Sequence, residues 1–150
     1  MDGKSEELVL VDTCVFLRYF FAEDGKDIAG LLLGMIVSKE LKAVVSVCTL
    51  SELVTVCIRS KKEDLIPTIL LFIRQYFYVA NTTPETAILA GYFKAQYSRK
   101  QKTLSYVDSV ILATSFLYGS ILLSYDSEYD DVKEVGIKTP DDYLREFAGR

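Results

Sequence analysis

The chain of 150 residues contains no histidine. That absence excludes Ser-His-Asp triads, histidine-ligated zinc and imidazole general bases. Cysteine is scarce and odd in number: Cys14, Cys48 and Cys57, with no C-x-x-C pair. Each lies in an apolar stretch, which reads as a buried reduced thiol in a cytoplasmic protein, not as a disulfide framework. No apolar run approaches the roughly 18 residues of a membrane span. The polar, acidic start from Met1 to Glu7 does not read as a signal peptide. A strongly basic balance is missing too, since 21 acidic residues face 17 basic ones. The excess is local. Residues 1–125 hold 13 of each sign, and residues 126–150 hold eight acids against four bases.

What is present is ordinary globular material. Half the residues are hydrophobic and a quarter are charged, which suits one domain spanning residues 1–150. Leu8–Val11 is a short apolar run that stops at Asp12. Ala43–Val47, Phe77–Ala80 and Ile121–Ser124 read the same way, and Gly136–Lys138 is a fifth candidate. Unbroken apolar runs of this kind are typical of buried parallel strands. Between them lie helical patterns: Val15–Phe21, Lys26–Lys39, a segment starting at Thr49 or Ser51 and ending near Arg59, and Leu65–Gln75. Thr83-Pro84-Glu85 and Ser105-Tyr106-Val107-Asp108 are helix-start signals, Gly119 is a stop, and Pro140 opens a last helix. Alternating strands and helices predict a three-layer α/β/α sandwich around a central, mostly parallel five-stranded sheet. Phe20-Phe21 and Leu70–Ile73 are more apolar than one helix face requires, which fits either a covered sheet or a dimer interface.

Four acids stand at the ends of these elements. Asp12 and Asp126 follow the first and fourth strands, and Glu52 and Asp108 sit near the starts of helices. A parallel sheet would gather all four at one rim. Several ionised carboxylates cannot crowd together without compensation. A hard divalent cation such as Mg²⁺ or Mn²⁺ provides it through oxygen ligands. Each acid taken alone also has a plain role, as a helix-terminal charge or a turn residue. Basic residues Arg18, Lys94, Arg99, Lys100 and Lys102 are candidate contacts for the phosphates of RNA, or else solvated surface. Tyr97 and Tyr106 flank the last of these and are candidates for base stacking.

The ordered series Leu10-Val11-Asp12-Thr13, Thr49-Leu50-Ser51-Glu52-Leu53, Ser105-Tyr106-Val107-Asp108 and Leu123-Ser124-Tyr125-Asp126 resembles a PIN domain. It is closest in kind to the VapC-like toxins and their archaeal relatives. The resemblance covers about Leu8 to Leu144. It implies a Mg²⁺- or Mn²⁺-dependent endoribonuclease with Asp12, Glu52, Asp108 and Asp126 as metal-binding and catalytic acids. Thr13 and Ser124 would support the site, and Asp130 or Asp131 would supply a further acid. Family members often dimerise, and the toxins pair with a small antitoxin. The alternative within the resemblance is a weak or inactive module that binds RNA or serves in assembly. The first motif reads Asp12-Thr13-Cys14, with a thiol where a polar residue is usual. That same Cys14 counts against a haloacid-dehalogenase-type phosphatase, which would carry a second aspartate there.

Overall fold

The computed structural model describes residues 7–98 and 103–150. Strand β1 is Leu8–Val11, followed by helices α1 (Thr13–Phe20) and α2 (Lys26–Val37). Next come β2 (Lys42–Ser46), α3 (Val47–Arg59), a 3-10 turn at Glu63–Leu65, α4 (Ile66–Tyr76) and β3 (Tyr78–Ala80). The second half holds α5 (Pro84–Tyr97), α6 (Tyr106–Tyr118), β4 (Ile121–Leu123), a 3-10 turn at Ser127–Tyr129, β5 (Ile137–Lys138) and α7 (Pro140–Ala148).

All strands are parallel, in the order β3-β2-β1-β4-β5. Val9 lies opposite Ala43 on one side and Ile121 on the other. Strand period two divides the side chains between two cores. Val9, Val11, Ala43, Val45 and Leu123 join the core formed with α1, α2, α3, α4 and α7. Leu10, Val44 and Leu122 join the core formed with α5 and α6. The expected three-layer sandwich is therefore the observed architecture. Phe20, Phe21 and Phe72 pack partly buried against the first core, and Ile73 is fully buried. Most of that apolar surplus thus covers the sheet, while Leu71 stays exposed.

The chain builds outward from β1 through β2 to β3, then returns to the other side of β1 for β4 and β5. The carboxyl ends of β1 and β4 are neighbours, and the elements leaving them diverge. A crevice at such a switch point is where open parallel sheets hold their ligands.

Several boundaries differ from the sequence expectation by one or two residues, and the start of α3 bears on the site. The hydroxyl of Ser46 accepts the backbone N–H of Cys48 at 3.2 Å, so helix α3 begins at Val47 and not near Thr49 or Ser51. Val47 extends the β-branched run in the sequence, but the cap at Ser46 ends the strand before it. Glu52 consequently lies in the second turn of α3. Gly119 ends α6 with φ +63°, a left-handed backbone that costs an L side chain about 1–2 kcal/mol. A β-carbon there would touch nothing within 4 Å, so the cost is purely conformational. We expect Gly119→Ala to lower the melting temperature by about 2–8 °C, measured by thermal unfolding of the two proteins.

Candidate active site

Asp12 is the N-cap of α1 and is only 5% exposed. Its own N–H donates to the Leu123 carbonyl at 3.1 Å, which joins the end of β1 to the end of β4. Carboxylate atom Oδ1 accepts the Thr13 N–H at 2.9 Å, and Oδ2 accepts the Ser124 hydroxyl at 2.6 Å. The Ser124 oxygen in turn accepts the backbone N–H of Asp126 at 3.0 Å. One serine thus orients both strand-end acids. The Cys14 sulfur lies 3.7 Å from the Ser124 hydroxyl and accepts the Tyr125 N–H at 3.5 Å. Burial pushes this thiol up to about 11, with the Asp12 charge adding to the effect. It stays protonated and fills space beside the acids.

Glu52 reaches the site from α3. Its Oε1 accepts the Thr13 hydroxyl at 2.6 Å. Asp108 arrives at the first turn of α6, where the Ser105 hydroxyl accepts its N–H at 3.1 Å. The segment after β4 carries the rest. Asp126 caps the turn Ser127–Tyr129 by accepting the Glu128 N–H at 2.9 Å. Tyr129, 1% exposed, donates its hydroxyl to Asp108 Oδ1 at 3.3 Å.

Asp108, Asp126 and Glu128 can each offer one oxygen so that all three lie within 4.8 Å of one another. Asp12 joins them through Ser124, and Glu52 through Thr13. The sequence reading missed Glu128 and favoured Asp130 or Asp131 as the further acid. Both of those are exposed and stand outside the cluster. The available signal was Asp126 as a turn-forming acid, because such a turn folds the residue two positions on back over the site.

The electrostatics record the crowding. Burial raises Asp12 to about 7, and the charges of Asp108 and Glu52 push in the same direction. A hydrogen bond shared with Asp108, followed by burial and the neighbouring carboxylates, raises Glu128 to about 7. Burial is also the first cause of the upward shift of Glu52, with Asp108 and Asp126 contributing. The Tyr129 phenol is held well above its ordinary value by burial and by three of these acids, so it remains a donor. Among the described residues no Lys or Arg forms an ion pair with any of the five acids. An all-oxygen donor set with unneutralised charge fits a hard divalent cation.

The basic candidates are arranged less simply. Arg18 stacks its guanidinium on Tyr125, 3.5 Å from the ring centroid. Lys94 donates to the Leu104 carbonyl at 2.6 Å and lies over the Tyr106 ring. Tyr106 itself is 71% exposed, two residues before Asp108. Arg99, Lys100 and Lys102 lie outside the described residues.

A parallel sheet whose switch point gathers five carboxylates defines a recognisable class of α/β protein. The sequence matches the PIN domain family over residues 9–135, and the chain belongs to that family. PIN domains are, as a family, nucleases. No curated protein sequence matches the chain. Solved structures share the fold at low identity. VapBC2 from Rickettsia felis bound to a DNA fragment from its promoter has a TM-score of 0.73 at 13% identity, covering 88% of this chain and 98% of that one. DNA-bound VapBC from Salmonella typhimurium gives 0.68 at 16% identity, covering 89% and 98%. Mycobacterium tuberculosis VapC20, described as a Sarcin-Ricin loop cleaving toxin, gives 0.66 at 18% identity, covering 85% and 98%. None of the described helices is long and apolar enough to cross a membrane.

The raised carboxyl groups predict an inverted pH dependence of stability. Asp12, Glu52 and Glu128 all bind their protons more tightly in the folded chain than in the unfolded one. The contribution of Asp12 and Glu128 is therefore lost as pH rises from about 4 through about 7, and that of Glu52 is lost in the same direction. For the metal-free protein we expect urea unfolding to give about 2 kcal/mol less stability at about pH 8 than at about pH 5.5, mainly from Asp12. Millimolar Mg²⁺ should flatten that slope. A metal-free stability that rises with pH over this range would contradict the assignment of these three groups.

Proposed function

We propose that this chain is a Mg²⁺- or Mn²⁺-dependent endoribonuclease, acting as the toxin of a toxin–antitoxin pair. The observation that carries the reading is the convergence of Asp12, Glu52, Asp108, Asp126 and Glu128 at the ends of β1 and β4 without a neutralising cation among the described residues. Asp108, Asp126 and Glu128 would hold the metal directly, with Asp12 and Glu52 completing the acid ring. When bound, such a metal activates water and neutralises charge on a phosphodiester in the transition state. Ser124 and Thr13 hold Asp12 and Glu52 in fixed orientations, so little reorganisation is needed as charge develops. With no histidine in the chain, proton transfers fall to carboxylates and water.

Arg18 and Lys94, together with Arg99, Lys100 and Lys102 outside the described residues, are assigned to the phosphates of the RNA. Tyr106, exposed two residues before Asp108, supports contact with an unpaired base. The protein partners are assigned as a small antitoxin and a second copy of this chain. The first rests on the fold shared with VapBC complexes. Exposed Ile88, Tyr92, Phe116 and Leu117 on α5 and α6 support the second.

Cleavage of structured RNA in the presence of Mn²⁺ tests the reading. Asp12→Asn and Asp108→Asn should each reduce the rate by at least about a hundredfold, the scale of losing a main electrostatic group, while both proteins remain folded. Activity that survived both substitutions would sink the nuclease assignment. RNA affinity unchanged by Asp108→Asn, together with no cleavage by the wild type, would favour a binding module.

A further inference from the structure

Three acids of the site are each held by one hydroxyl group. Ser124 donates to Asp12 and Thr13 donates to Glu52. Tyr129 donates to Asp108. Each of the three residues lies within two positions of another acid of the site, and Tyr129 alone among them is also part of an apolar core cluster.

We propose that Tyr129 is a positioning residue of the metal site, whose buried hydroxyl fixes the Asp108 carboxylate in the orientation that a divalent ion requires. The inference rests on the reading of the acids as a metal site. The Tyr129 ring belongs to the core cluster that includes Ile111, Leu112, Leu122, Val132 and Val135. Its backbone sits in the short turn that Asp126 caps. The side chain is therefore a strut, anchored at its base by packing and meeting Asp108 at its tip.

Packing alone does not explain the hydroxyl. A phenylalanine would fill the apolar part of the site equally well. A buried hydroxyl is costly unless it finds an acceptor, and this one finds Asp108 Oδ1. Asp108 has need of such a partner. It stands on the first turn of α6, where the Ser105 cap fixes its backbone N–H but not its carboxylate. Glu128 shares a hydrogen bond with that carboxylate, but Glu128 is itself an exposed acid of the same set and provides no fixed anchor. Neither Thr13 nor Ser124 reaches Asp108, and among the described residues no Lys or Arg pairs with it. Since Glu128 and Asp126 must share a small volume with Asp108, a wrong rotamer of Asp108 would break the ligand set. Partners that orient ligands in this way typically change metal affinity by about 10–100-fold when removed.

The test is titration calorimetry of Mn²⁺ into wild type and Tyr129→Phe, with thermal unfolding of the metal-free proteins alongside. Tyr129→Phe should weaken Mn²⁺ binding by about tenfold or more, while the metal-free melting temperature moves by no more than about 4 °C. In an Asp108→Asn background the same substitution should change the Mn²⁺ affinity less than about twofold, because the partner it acts through is gone. Placing 4-aminophenylalanine at position 129 restores a donor at the ring tip and should restore most of the affinity. If Tyr129→Phe does not fold, 4-fluorophenylalanine fills the space of the hydroxyl without donating and gives the same comparison. Unchanged affinity in the non-donating variant would overturn the proposal and leave the nuclease reading intact. An equal loss in the Asp108→Asn background would overturn it as well, by showing that the ring acts through packing. Failure of the wild type to bind Mn²⁺ at all would overturn both.

Discussion

Carboxylates repel one another, and this chain places five of them around the ends of two adjacent strands. The fold must overcome that repulsion without a cationic side chain bound to any of them among the described residues. It does so with neutral donors: the Thr13 N–H, the hydroxyls of Thr13, Ser124 and Tyr129, and the turn N–H groups that bind Asp126 to Glu128. Neutral donors hold the acids in place without cancelling their charge. Charge left unbalanced in this way is what the proposed hard cation would neutralise. Were an arginine to occupy the centre instead, the same acids would form a closed ion-pair network.

The sheet order decides which donors are available. β1 lies between β2 and β4, so Asp12 meets Ser124 across one strand gap, and Thr13 at the start of α1 meets Glu52 in the second turn of α3. Period-two alternation sends Leu10 and Val11 into separate cores, and both cores are filled on either side of the site. The acids are therefore set on a scaffold with little freedom to spread apart. Val9, Leu10, Val11, Leu122 and Leu123, the strand residues beneath the acids, are all fully buried.

Much of this arrangement was legible in the sequence because the strands announce themselves. Leu8–Val11 and Ile121–Leu123 are apolar runs that end in an acid or a serine-acid pair, and no helix pattern competes with them. Asp12 and Asp126 follow from those endings, and Glu52 and Asp108 from their places near helix starts. The start of α3 was obscured by Val47, whose β-branched side chain prolongs a strand-like run past the real cap at Ser46. Glu128 was obscured for a different reason. It lies in an irregular, acid-rich segment where periodicity carries no information, and only the turn capped by Asp126 distinguishes it from Asp130 and Asp131. Tyr129 is an ordinary aromatic in the sequence, one of ten tyrosines. Its hydroxyl gains meaning only when α6 brings Asp108 within reach.

The span between Asp12 and Ser124 has one more consequence. Their hydrogen bond closes a separation of 112 residues, and Asp126, Glu128 and Tyr129 all follow Ser124. During synthesis the segment around Asp12 emerges first and waits for β4. A ribosome-bound fragment that ends before β4 holds Asp12, Glu52 and Asp108 but lacks Ser124, Asp126, Glu128 and Tyr129. Long-range closure of this kind comes late in folding, so the pocket is withheld until β4 and the turn after it have been made. A growing chain still short of β4 lacks the arrangement on which the proposed chemistry depends.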